Sequence, residues 1–188
     1  MMRGHRRILA ACVAAVFAAI SVAGADAQSP RRSEYEVKAA YLFTFARFVE
    51  WTPRPSRDDS SFTICILGAD PFGATLDMTL SEAVIRGRRV GARRISEPDA
   101  AAGCHIVFVS TSEDRRMADL VPLLAGAGVL TVSDMPKFTE RGGMIQFVTA
   151  ANRVRFEINL QSARQAGLMM SSELLRVASA VRNATGSM

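Results

Sequence analysis

Ser61–Gly73, SFTICILGADPFG, decides the fold. Phe62–Leu67 is a short, unbroken apolar run rich in β-branched residues, the pattern of a strand buried on both faces of a parallel sheet. Gly68-Ala69-Asp70-Pro71 breaks the run. Asp70 can cap a helix, and Pro71 suits a first helical turn, where its missing N–H costs nothing. The helix expected there covers Asp70–Glu82, with Phe72, Leu76 and Leu80 on one face. Strand, tight loop and helix start make the opening half of a βαβ unit. His105–Ser110 is a second run of the same kind, directly after Cys104, and Gly128–Ser133 is a further strand.

Upstream, Glu34–Trp51 (EYEVKAAYLFTFARFVEW) reads as a helix, with Val37, Tyr41, Leu42, Phe45, Phe48 and Val49 at helical spacing. Thr52-Pro53-Arg54-Pro55 stops it, and Ser56–Ser61 is a polar loop. Trp51 sits near the helix end as an exposed anchor. Downstream, Arg86–Ile95 alternates weakly and reads as an edge-like strand whose arginines protect the edge, the alternative being a binding face. Glu97–Gly103 is a short turn or helix. Ser112–Ala125 is a helix with Pro122 as a kink or late break. Asp134 caps a short helical turn. Met144–Thr149 and Asn152–Ile158 form an antiparallel hairpin. Asn159 caps a helix over Leu160–Ala166 that Gly167 ends, and Ser171 or Ser172 caps a last helix over Glu173–Val181. The tail Asn183–Met188 frays. The order implies an α/β single-domain sandwich, a mixed sheet of about six strands with helices on both faces.

The first 27 residues stand apart. Arg3, His5, Arg6 and Arg7 form a basic region, Ile8–Val22 an apolar one too short to span a bilayer, and Ala25-Asp26-Ala27 a cleavage site. Residues 1–27 are therefore expected to be a cleaved signal peptide and 28–188 the mature domain, exported to the periplasm. Leu9-Ala10-Ala11-Cys12 imitates a lipoprotein box but lies too early. The mature chain carries 20 Lys and Arg against 17 Asp and Glu, a net +3, and lysine only at Lys38 and Lys137. No aromatic-interleaved basic stripe occurs, so nucleic acid is not an expected partner.

Two mature cysteines in an oxidising compartment suggest a Cys65–Cys104 disulfide, the alternative being two buried free thiols. Catalytic motifs are absent: no G-x-S-x-G, no phosphate-binding glycine loop, no C-x-x-C. The one mature histidine, His105, reads as a hydrogen-bonded structural residue, and no metal spacing is present. Asp70 and Asp134 follow strands, where α/β ligand sites lie, but both are better read as helix caps. No catalytic residue, metal or cofactor is expected.

The runs EYEVKAAYLFTFARFVEW, FTICILGADPFG, CHIVFVS, LTVSD, RGGMIQFV and VRFEINLQSARQAGLMMSSELLRVA resemble the YfiR-like family, collinearly over nearly the whole mature chain. The resemblance implies a non-enzymatic periplasmic regulator. It would bind the periplasmic sensor region of an inner-membrane signalling protein, a diguanylate cyclase or alternatively a kinase; on a cyclase it would repress synthesis and so lower cyclic-di-GMP, with an outer-membrane lipoprotein as a second partner. It also implies a disulfide matching Cys65 and Cys104. A second family disulfide has no counterpart, since Gly142–Arg153 contains no cysteine. A homodimer is left open. The alternative reading is a periplasmic small-ligand-binding protein or an enzyme with an unrecognised site.

A partner surface is expected in Glu157–Leu175. The adjacent Met169 and Met170 cannot share one face of a regular element, and methionine suits surfaces that repack around a partner. The expected groove is lined by Leu160, Ala163, Met170 and Leu175, with Glu157 on its rim.

Overall fold

The computed structural model describes residues 30–52 and 60–183, with side chains from Glu34 onward. The expected leader over 1–27, the proline stop at Pro53 and Pro55, most of the polar loop after it and the tail beyond Asn183 lie outside the described residues. No described helix is long and apolar enough to cross a membrane.

In chain order the elements are α1 (Pro30–Phe48), β1 (Val49–Trp51), β2 (Phe62–Leu67), α2 (Ala74–Leu80), β3 (Val84–Ile85), β4 (Arg88–Ile95), β5 (Ile106–Val109), α3 (Met117–Gly126), β6 (Leu130–Ser133), β7 (Ile145–Ala150), β8 (Arg153–Asn159), α4 (Leu160–Gln165), β9 (Leu168–Met170), α5 (Ser172–Val177) and β10 (Ala180–Arg182). Short 3-10 helices at Pro98–Gly103 and Thr111–Arg116 precede β5 and α3. Among the described residues, eight strands form one sheet in the order β10-β8-β7-β6-β5-β2-β4-β3, and β1 and β9 form a separate ribbon.

The centre of the sheet is parallel: β2 pairs with β4 and β5, and β5 with β6. Its continuous apolar runs supply both faces at once, because neighbouring side chains on a strand point to opposite sides. Ile64, Ile66, Ile106 and Phe108 face one core with Leu42, Phe45, Leu76 and Leu80 of α1 and α2. Cys65, Leu67, Val107 and Val109 face the other, with Met117, Leu120 and Leu124 of α3. The class is α/β with helices on both faces, as the sequence implies. The sheet is wider than six strands because the short β3 and β10 extend it at both ends.

Four elements differ from the expected ones, the first and the last helix because a distant strand takes their residues. The first helix stops at Phe48, not Trp51, because Val49, Glu50 and Trp51 pair with Met170, Met169 and Leu168. The helix after β2 begins at Ala74: Asp70 caps only a turn, accepting the Phe72 N–H at 2.8 Å. The last helix ends at Val177, and Ala180–Arg182 pairs in parallel with β8 instead. Helix α3 runs unbroken through Pro122 to Gly126. The β7–β8 hairpin forms as expected, its turn residues Ala151 and Asn152 both at positive φ.

Not all the β4 arginines are edge protection. Arg94 bonds to Asp70 at 2.8 Å, Asp77 at 2.7 Å and the Gly73 carbonyl at 2.7 Å, tying β4 to α2. The Arg94 hydrogen bond holds the Asp77 carboxyl below its usual range. A depressed carboxyl contributes stability above its unfolded pKa of about 3.9 and loses it as pH falls through the folded value. Asp77 is half exposed, so Asp77→Asn should cost no more than about 1 kcal/mol at neutral pH. Thermal melts of the two proteins should converge as pH falls through the depressed folded-state value of Asp77.

Candidate functional site

The expected partner segment is built around three local signals. Asn159 ends β8 and caps α4, its Oδ1 accepting the Ser162 N–H at 3.0 Å, while its Nδ2 donates to the Thr139 carbonyl at 2.9 Å. Gly167, at φ 76°, turns the chain into β9, and its carbonyl accepts the Thr52 hydroxyl at 2.8 Å. Ser171 caps α5 through the Leu174 N–H at 3.2 Å, while its own N–H donates to the Phe48 carbonyl at 2.9 Å. Helix α4, β9 and α5 are thereby bound to the end of α1 and to β1.

These contacts separate the five residues expected to share a groove. Leu160 and Ala163 are buried in the core shared with α1, Ala163 completely. Neither offers a side chain to a partner. Met170 and Leu175 are half-buried and pack on the margin of that core. Glu157 is half-buried on β8 between Phe156 and Ile158, both of which face the core, so alternation turns Glu157 to the opposite side of the sheet. It does not rim the same surface.

What does face outward is the β1–β9 ribbon. Met169 is 64% exposed and stands opposite the exposed Glu50 in register. Trp51 is half-buried against Phe62, ring centroids 5.2 Å apart, with its indole N–H donating to the His105 carbonyl at 3.0 Å. Val177, at the end of α5, is 61% exposed. Sequence reading separated the two methionines, but it expected Trp51 as an exposed anchor, whereas pairing with Leu168 turns it onto Phe62, and it missed Glu50 and Val177. The missing signal was the antiparallel pairing of β1 with β9, more than a hundred residues apart.

The other candidates have structural roles. His105 is buried and stacks on Phe62, ring centroids 4.2 Å apart; its Nδ1 accepts the Thr63 N–H at 3.2 Å, and its Nε2 lies 3.4 Å from Arg88 Nη1. At the C-terminal ends of β2 and β5, where an α/β crevice would open, Ser112 and Glu113 fill the space. A Cβ at Gly68 would come within 2.4 Å of the Ser112 hydroxyl and 2.6 Å of the Glu113 carboxylate. Asp134 is not a helix cap. Ser133 takes that role through the Met135 N–H at 3.0 Å, while Asp134 Oδ2 accepts from Lys38 Nζ at 2.7 Å and from the Tyr35 hydroxyl at 2.8 Å. Among the described residues no cluster of histidine, cysteine and acidic side chains could hold a metal ion. The structure joins Cys65 to Cys104, Cα atoms 6.0 Å apart, inside the second core.

The family model described as YfiR/HmsC-like matches residues 35–179. Among solved structures, a conserved domain protein from Vibrio cholerae superposes with a TM-score of 0.55 at 9% identity, over 79% of this chain and 60% of that one. A domain from Streptococcus pneumonia described as the ABC domain in complex with L-Trp gives a TM-score of 0.48 at 13% identity, over 81% of this chain and 60% of that one. The chain thus spans about 60% of the length of these structures. At such identities the first likeness concerns the fold alone.

Proposed function

The chain belongs to the YfiR/HmsC-like family, and from that premise we propose that it is a periplasmic regulator that docks on the sensor region of an inner-membrane protein. The family supports regulation of a diguanylate cyclase pathway, and regulation in place of catalysis. In this reading the bound chain holds the cyclase down and lowers cyclic-di-GMP, and an outer-membrane lipoprotein competes for it.

One observation carries the docking surface: Met169 is largely exposed on the outward face of the ribbon, opposite the exposed Glu50, while Leu168, Met170 and Trp51 alternate to its inner side. Methionine adapts to a partner's shape. The sequence-stretch expectation narrows accordingly, from a groove through Leu160 and Ala163 to the ribbon outside them.

The test uses the purified periplasmic sensor region of an inner-membrane diguanylate cyclase from the same organism. Met169→Asp should weaken its binding at least tenfold, about 1.4 kcal/mol, with the melting temperature unchanged because Met169 contributes little to the core. Wild-type affinity in a folded Met169→Asp protein would refute the ribbon as the docking surface. No binding by the wild-type chain would refute the partner.

A further inference from the structure

We propose that the open sheet face carrying Val84, Arg89, Gly91 and Arg93 binds the phosphodiester headgroups of an anionic phospholipid surface. Val84 and Arg89 stand directly opposite each other in the antiparallel β3–β4 pair, so they share a face. Arg89, Gly91 and Arg93 alternate along β4 and line that same face, the two arginine Cα atoms roughly 13 Å apart by strand rise. All four residues are exposed, Val84 by 55%. A Cβ at Gly91 would meet nothing within 4 Å among the described residues, so the floor between the arginines is backbone without described cover. Cover begins at Arg93, whose guanidinium lies against Ala100 and Gly103 of the 3-10 helix, and continues at Cys65, beside it in register, and at Ile95, both buried in the second core.

The charges divide between the two sides of β4. Arg94, on the covered side, is neutralised by Asp70 and Asp77. Arg89 makes no ion pair among the described residues. Arg93 donates to the Ala100 carbonyl and lies 3.3 Å from Cys104 Sγ, neither of which carries charge. Arg86, in the β3–β4 turn, meets Glu50 only at 3.8 Å with both side chains at least half exposed, a contact of little strength in water. Guarding an edge needs charge beside open backbone; it does not need guanidiniums without a described carboxylate on either side of an exposed glycine, next to an exposed valine.

This bed fits a lipid surface better than an acidic protein. The planar guanidinium matches phosphate oxygens in a fork. A protein partner would seek a pocket for an anchoring side chain, and the bed is an open strand face. A plane of repeated phosphates asks only for flat, spaced cations, and Val84 can reach the carbons beneath them. Each arginine near such a surface raises partition roughly fivefold. Three give about a hundredfold, enough to hold the chain near a membrane reversibly. The proposal does not depend on the sensor-docking reading, whose surface is the β1–β9 ribbon.

The mature, oxidised chain is sedimented with vesicles of phosphatidylcholine alone and of equal parts phosphatidylcholine and phosphatidylglycerol. Binding to the anionic vesicles should exceed binding to the neutral ones at least tenfold and should fall as salt rises. The Arg86→Glu/Arg89→Glu variant should lose at least tenfold at unchanged melting temperature; Arg93 is left intact because it touches the disulfide. If that variant unfolds, Arg86→Gln/Arg89→Gln takes its place. Equal sedimentation with neutral vesicles, no binding to either, or wild-type binding by the folded variant would each overturn the proposal. So would release from anionic vesicles by millimolar inorganic phosphate at constant ionic strength, which would mark a small-anion site. Salt-sensitive binding to polyglutamate with none to vesicles would overturn it in favour of an acidic protein. The vesicles contain no protein, so either result leaves the sensor-docking test independent.

Discussion

Cys65→Ser should lower the unfolding free energy by about 2–5 kcal/mol. The Cys65–Cys104 bridge closes a loop with a sequence separation of 39, for which the chain-entropy model gives about 4 kcal/mol of unfolded-state restriction. Both residues are fully buried in the second core, so the serine hydroxyl would also sit among apolar side chains at a cost of roughly 1–3 kcal/mol if unbonded. Urea unfolding of the variant and wild type, each oxidised, should show a lower midpoint for the variant. Intact mass should show two alkylated cysteines in the mature wild type only after reduction. Two alkylated cysteines in native, unreduced protein would refute the bridge, and an unchanged midpoint would refute its weight.

Lys38→Met should cost about 3–5 kcal/mol, the range for breaking a buried ion pair from one side. The Lys38 ammonium is almost fully buried, 2.7 Å from Asp134, 2.6 Å from Glu34 and 4.3 Å above the Tyr35 ring. Methionine keeps the aliphatic packing and removes the charge, leaving the Asp134 carboxylate only 12% exposed with the Tyr35 hydroxyl as its remaining donor among these three residues. The cluster fastens the start of α1 to the end of β6. Lys38→Met/Asp134→Asn should therefore recover most of the loss, because the second change removes the stranded charge. A double-mutant cycle by thermal or urea unfolding measures this directly. Additive losses would mean that the two groups stabilise the fold separately.

The two pairs differ in how far sequence could reach them. Cysteine number and an expected export signal sufficed to suggest the Cys65–Cys104 bridge, since only two cysteines lie beyond the expected leader. The Lys38–Asp134 pair spans 96 residues and has no compositional mark. Asp134 follows a strand and precedes a turn, so its local setting is that of a cap. Its neighbour Ser133 accepts the Met135 N–H, Pro136 has no N–H to offer, and the Asp134 carboxylate bonds to Lys38 and Tyr35 of α1 instead.

The same contrast runs through the whole chain. Continuous β-branched runs at Phe62–Leu67 and His105–Ser110 determined a parallel core with two buried faces, because only such a strand needs apolar residues at every position. Helical spacing determined α1, and side-chain oxygens at Asn159 and Ser171 determined the starts of α4 and α5, because capping acts over three residues. Tertiary pairing decided the rest. Val49–Trp51 and Leu168–Met170 carry no strong strand signal of their own and become strands only by bonding to each other. That pairing buries Leu168 and turns Met169 outward, while Leu160 and Ala163 pack into the core. Which apolar residues of the C-terminal segment can meet a partner depends on contacts with α1 and β1, far away in the chain, and periodicity within the segment does not encode them.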